Sequence, residues 1–374
     1  MNSSRFRRLL AAVLGGGVAL TFLGIGSVPA SAGSGAGVVY TLSNRANNNA
    51  VLVFERASDG SLSAAGKFGT AGDGTGAGLG SQGALVLHGD RLFAVDAGSD
   101  EITSFDVSED GLTLTRIRTV DSNGDLPISL TVSGSSLYVL NAGGDGNISG
   151  FTGARSGKLR PIRHSTEPLS GSGVGPAEVS FADRGDVLVV TEKNTNLIDT
   201  YAVDADTGRA TGPETTASEG MTPFGFANRN DCLVVSEAAG GAPGATTVSS
   251  YTLDPGDTPH AATSALASHQ GSACWVAIAR HTRYAYVANT GSSTISGLRM
   301  HKDGSVSLLD ASGVTATTGA APADMAVSAG SDYLYVRAGG APEIDGFAIQ
   351  GDGGLSPVGT PPAIPASAVG LASR

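Results

Sequence analysis

Three observations predict an all-β fold, a seven-bladed β-propeller with four-stranded antiparallel blades. A pattern of roughly 49 residues recurs seven times along the chain. Each copy holds short apolar runs bounded by Gly, Asn and Asp, the sequence form of consecutive hairpins. No helical periodicity of useful length follows the first ~30 residues. Length alone would suggest two domains, but a repeat of this period builds one closed array. A two-sheet sandwich and an open β-solenoid fit less well, because four strands in each ~40–50-residue unit is the spacing of a propeller blade.

The chain opens on a targeting segment. Arg5, Arg7 and Arg8 form a positive start, Leu9 to Gly24 is apolar, and Ala30-Ser31-Ala32 fits a small-residue cleavage site. Residues 1–32 are therefore expected to be a cleaved signal peptide, residues 33–374 a single propeller domain, and the product a secreted bacterial protein. The apolar stretch is short and glycine-rich for a membrane anchor, and no cysteine follows it for lipid attachment. Both the general and the twin-arginine export routes stay open. The whole chain carries 34 acidic against 23 basic residues, a formal charge of −11. Loss of the three leader arginines makes the mature part more acidic still. Such a chain repels nucleic acid, anionic lipid and phosphorylated sugars. No nucleic-acid or membrane partner is expected, and a monomer is.

The elements follow in order. Second strands begin near Val39-Tyr40, Leu92-Phe93, Leu137-Tyr138, Leu188-Val189, Leu233-Val234, Ala285-Tyr286 and Leu334-Tyr335. The clearest copy runs Tyr286-Val287-Ala288-Asn289-Thr290-Gly291, then Thr294-Ile295-Ser296-Gly297-Leu298, then the turn Asp303-Gly304. Ahead of each second strand lies another apolar run: Ala84 to Leu87, Ser129 to Val132, Val179 to Phe181, Phe224 to Phe226, Trp275 to Ile278 and Met325 to Val327. These are expected to be the innermost strands. The first copy lacks such a run at its start, whereas Val369-Gly370-Leu371 supplies one at the C-terminus. Ala368 to Ser373 should therefore pair beside Val38 to Leu42 and close the ring, hiding two sheet edges.

The stretch Tyr286 to Gly291, with Asp303-Gly304 closing its blade, resembles the seven-bladed lactonase-like propellers. That family includes propeller-type 6-phosphogluconolactonases and carboxymuconate-lactonising enzymes. The pieces Thr222 to Phe226, Val235 to Ala238 and Ala273 to Val276 resemble secreted actinobacterial members. The resemblance implies the propeller fold and a hydrolase acting on a lactone. It also implies a His-x-His stretch in a Gly-Pro context, but Gly175-Pro176-Ala177-Glu178-Val179 stands there without either histidine. The acidic residue that the family carries after a second strand is matched by Glu237.

Aligning the copies places Gly83, Ile128, Ala177, Phe224, Cys274 and Ala323 at one position on the top rim of the channel. Ala84, Ser129, Glu178, Gly225, Trp275 and Asp324 take the next. A shallow pocket for a small molecule or glycan is expected around Trp275, Phe224, Glu178, Asp324 and Glu192, with Glu237 as the catalytic candidate. The plain alternative is a structural channel mouth whose carboxylates hold loop amides. Two functions stay open. One is a secreted propeller that hydrolyses or binds a small unphosphorylated lactone or sugar-like ligand; 6-phosphogluconolactone is not the expected substrate. The other is a non-catalytic extracellular binding or scaffold propeller. A basic side chain at the channel, such as Arg337, Lys193 or Arg280, would favour the first.

Asp121-Ser122-Asn123-Gly124-Asp125 resembles the start of a calcium loop, but Leu126 and Val132 replace the later glycine and glutamate. It reads better as a polar turn, and calcium is the only cofactor it leaves open. Gly74 to Gly80 is glycine-rich without the strand-then-helix setting of a nucleotide loop. The six histidines lack metal-ligand spacing. Cys232 and Cys274 should start strands at opposite ends of the ring and so remain unlinked.

Overall fold

Each copy of the repeat folds as an antiparallel sheet of four strands, and blade 6 adds the two-residue strand Ala316–Thr317. The computed structural model describes residues 36–374, except 183 and 254–257. The leader expected over residues 1–32 lies outside the described residues. From the channel outwards, blade 1 orders Val369–Ser373, Gly37–Leu42, Ala50–Arg56 and Leu62–Gly69. The innermost strands of blades 2 to 7 are Leu85–His88, Pro127–Ser133, Pro176–Phe181, Pro223–Arg229, Ala273–Ala279 and Pro322–Val327. Each touches the innermost strands of both neighbouring blades, and blade 7 touches blade 1, so the ring is closed.

Closure follows the expected phase. Val39 pairs with Ser373, Tyr40 with Ala372 and Thr41 with Leu371. The Thr41 hydroxyl adds a bond to the Gly370 carbonyl at 2.8 Å. Two strands remote in sequence thereby remove each other's open edge.

Four innermost strands begin with proline, and all four show a register shift within three residues of it. Blade 6, which begins at Ala273, shows the same shift. Proline suits a strand's first residue because it has no N–H to give to a ladder. The bulge after it re-aims the side chains that follow. The residues at or just after this step include Glu178 and Asp324, which line the channel.

Apolar side chains from facing sheets fill the spaces between blades, and tyrosines fasten neighbours together. Tyr40, Tyr138, Tyr286 and Tyr335 are each fully buried on a second strand. Their hydroxyls donate to the carbonyls of Gly111, Gly208, Gly353 and Gly60 at 2.7 to 2.9 Å. Each glycine lies in the outer hairpin turn of the next blade. The Tyr335 to Gly60 bond thus ties blade 7 to blade 1. Gly60 and Gly353 have φ of +86° and +92°, and a Cβ there would strike Tyr333 or Tyr284 at 2.4 and 2.6 Å. Only glycine meets both constraints.

Candidate functional site in the central channel

With the top face defined as the one where innermost strands begin, the mouth of the channel is closed by the chain itself. Blade 2 has the shortest innermost strand because residues 80–83 leave its sheet and cross the mouth. Gln82 N donates to Ala177 O at 3.0 Å, and Leu130 N donates to Gly83 O at 2.8 Å. This binds the segment to blades 3 and 4. The Gln82 side chain spans to the other side. Its Nε2 donates to Phe226 O at 2.9 Å, Val276 O at 3.0 Å and Glu178 Oε1 at 3.3 Å. Its Oε1 accepts from Val276 N at 2.9 Å.

Trp275 belongs to this closure. Its indole N–H donates to Ser81 O at 2.9 Å, and its ring lies 5.1 Å from that of Phe224, tilted by 55°. Exposures of 7% and 8% leave neither ring open as the ligand platform expected at the mouth. Above Phe224, Lys193 sits 4.8 Å from the ring centroid and donates to Gly80 O and Pro176 O at 2.8 and 2.9 Å. Burial lowers its pKa to about 8, with Cys274 opposing the shift.

Below the closure the channel holds a cavity of about 340 Å³, whose walls run down to His88, Ser133 and Arg280 at the bottom rim. Glu178, Asp324, Asn228 and Ser180 give it polar groups, and Leu130, Val179 and Leu371 apolar ones. Glu178 is buried and accepts from Phe226 N at 2.7 Å. Burial, reinforced by Asp324, holds its carboxyl well above the usual carboxylate range. Asp324 is raised too, by burial, while Arg337 pulls it back. The Arg337 Nε lies 3.7 Å from Asp324 Oδ2, which also accepts from Gly370 N at 2.9 Å. The Arg280 guanidinium reaches Asn228 O at 3.4 Å. Of these basic side chains Arg280 lines the cavity at its lower rim, while Arg337 stands behind Asp324 on a second strand and Lys193 sits above the closure.

The structure brings Glu178, Asp324, Phe224 and Trp275 together and leaves Glu192 and Glu237 outside. Glu237, expected to be catalytic, is fully buried at the end of its second strand. It accepts from Ser218 Oγ, Gly220 N and Thr247 Oγ1 at 3.0, 2.8 and 2.5 Å. It anchors a loop and does not line the channel cavity. Glu192 does the same in blade 4, accepting from Ser170 N, Ser170 Oγ and Thr195 Oγ1. At the matching positions Asp96 of blade 2 accepts from Thr70 in a loop and Thr103 on the third strand, and Asn289 of blade 6 donates to Thr294 and Ser296 on the third strand.

Sequence reasoning missed Ser81, Gln82 and Asn228. A signal for the first two existed: residues 70–84, which include the glycine-rich run, form the longest connection between blades. The turn at Asp121 closes on itself, with Asn123 N donating to Asp121 Oδ1 at 2.7 Å. Among the described residues, no three of His, Cys, Asp and Glu converge as metal ligands. No helix of the described residues is long and apolar enough to cross a membrane. Both cysteines are free, with Cys274 buried near the top and Cys232 at the bottom.

A closed ring of seven four-stranded blades around a polar channel defines a seven-bladed β-propeller. Residues 36–171 match the family model described as Lactonase, 7-bladed beta-propeller. No curated protein matches the chain in sequence. Among solved structures, a protein from Lactobacillus plantarum is 16% identical, with a TM-score of 0.74 over 91% of this chain and 100% of that one. The periplasmic gluconolactonase of Pseudomonas aeruginosa is 15% identical, with a TM-score of 0.72 over 90% and 99%. A candidate 6-phosphogluconolactonase of Bacteroides fragilis is 15% identical, with a TM-score of 0.72 over 90% and 98%. At these identities the likeness establishes the fold.

Proposed function

We propose that this chain is a secreted hydrolase of a small, unphosphorylated lactone or related sugar-like ring, held in the central channel. One observation carries the reading. The cavity is of a size for one small ligand, and it sets a buried carboxyl raised well above the usual carboxylate range, Glu178, at its roof and a guanidinium, Arg280, at its lower rim. Opening a lactone adds water to the carbonyl carbon and breaks the ring C–O bond, and the departing oxygen takes a proton. A carboxyl whose proton affinity is raised by burial suits that donation, and the proton released by the added water returns to it. A guanidinium suits the charge that develops on the carbonyl oxygen. The family model and the gluconolactonase neighbour support the substrate class. The acidity of the chain supports an uncharged substrate.

Titrating acid release from a panel of lactones tests the proposal. Turnover of an unphosphorylated lactone, reduced roughly 10²-fold or more in Glu178→Gln and Arg280→Gln, is expected. Failure to turn over any lactone while the channel still binds one would favour the second reading, a non-catalytic binding propeller. That reading draws on the hydrogen bonds that already occupy both Glu178 oxygens.

A further inference from the structure

The bottom face between blades 5 and 6 carries a recess of about 720 Å³, remote from the closed top of the channel. Its charge runs against that of the chain. Arg229, Arg283 and Lys302 line it beside His301, in a protein with an excess of acidic residues. Its two acids are already engaged. Asp231 pairs with Arg184 at 2.9 Å, and Asp303 accepts from Ser305 N and Oγ at 3.1 and 2.7 Å. Arg229 is fixed by a bond to Thr282 O. Arg283 and Lys302 are exposed, and among the described residues neither side chain has an acidic partner. Burial pushes the Cys232 thiol at the recess up to about 11, so it adds no negative charge near neutrality.

We propose that this recess is a binding site for an oxyanion, a phosphate or sulfate group, held by Arg283 and Lys302 with Arg229 behind them. The chemistry follows from the donors. Guanidinium groups present paired N–H donors that match tetrahedral oxyanions, and an ammonium adds a mobile point charge. Two neighbouring cations that, among the described residues, form no ion pair raise each other's electrostatic energy, and a bound dianion relieves it. The site is separate from the channel and does not depend on a lactone reading.

Isothermal titration of the full chain with inorganic phosphate and with sulfate, at ionic strength fixed by sodium chloride, tests this. Saturable binding of one or both ions is expected, one per chain, with chloride alone giving none. Arg283→Gln with Lys302→Gln should weaken it at least tenfold. Arg116→Gln with Arg160→Gln, two exposed arginines elsewhere, should leave it unchanged. Unchanged thermal melting of the first pair shows that the loss is not unfolding, and Lys302→Gln alone provides a milder second variant. Phosphate against sulfate then identifies which group the site prefers. Absence of saturable binding, or an equal loss in both pairs of variants, would overturn the proposal.

Discussion

Gln82 shows how much one residue can hold. Its amide reaches the strands of blades 4, 5 and 6 from a segment rooted in blade 2, and so it fixes the roof of the cavity. Gln82→Ala would leave Val276 N and two buried carbonyls without partners. A loss of about 1–3 kcal/mol is expected from that count of unsatisfied groups, read as a shift in the urea midpoint. The single tryptophan reports on the same closure. Trp275 should emit at short wavelength and resist iodide quenching, whereas Gln82→Ala should raise quenching severalfold. Red-shifted, freely quenched emission from the unaltered protein would contradict a closed mouth. The rim position of Trp275 was legible from the aligned copies. Its burial was not, because the carbonyl that caps its indole lies 194 residues away in sequence.

At the scale of the element, one position does the same work in several blades, and blade 4 departs from it. A polar residue ends the second strand, and a hydroxyl on the third strand can serve it: Thr103 donates to Asp96, and Asn289 donates to Ser296. Blade 4 instead sets Asp199 beside Glu192, both fully buried. Burial first, and then Glu192, pushes the Asp199 carboxyl up to about 8. The folded protein therefore keeps a proton that the unfolded chain, with a carboxyl near 3.8, has released. Stability from this group is fully present below pH ~4 and is lost as pH rises toward ~8. Asp199→Asn should flatten the fall in melting temperature between pH 5 and 9, and an unchanged slope would refute the pairing. The tyrosine latches are the other device at this scale. Tyr335→Phe removes the hydroxyl that reaches Gly60 and leaves that carbonyl buried. About 1–3 kcal/mol should be lost, in denaturant melts.

For the whole molecule, closure is what makes seven sheets one cooperative unit. Val369–Ser373 is the innermost strand of blade 1 and touches the innermost strands of blades 2 and 7. Deleting residues 369–374 would expose the edge of Gly37–Leu42 and open the lower wall of the cavity at Leu371. Self-association is the expected outcome, since an unpaired strand edge is a template for another chain. Light scattering after size exclusion should show species larger than the full-length protein at equal concentration. A truncated chain with unchanged mass and melting temperature would argue that the ring does not depend on this strand.

The blade count, the order of strands within each blade and the closing role of the C-terminus were determined by the sequence alone. Each follows from local patterning repeated in phase: apolar runs bounded by turn residues need no knowledge of what lies across the ring. The rim alignment that brought Glu178, Trp275 and Asp324 together is of the same kind, since every copy contributes one residue at a matching height. Only the tertiary structure decided that the top is closed, that Trp275 is a buried member of that closure, and that Glu192 and Glu237 serve loops. The same holds for the cavity between Glu178 and Arg280 and for the basic recess on the opposite face. These depend on side chains brought together from different blades. Their burial and charge come from hydrogen bonds and desolvation across the ring, for which the repeat carries no local signal.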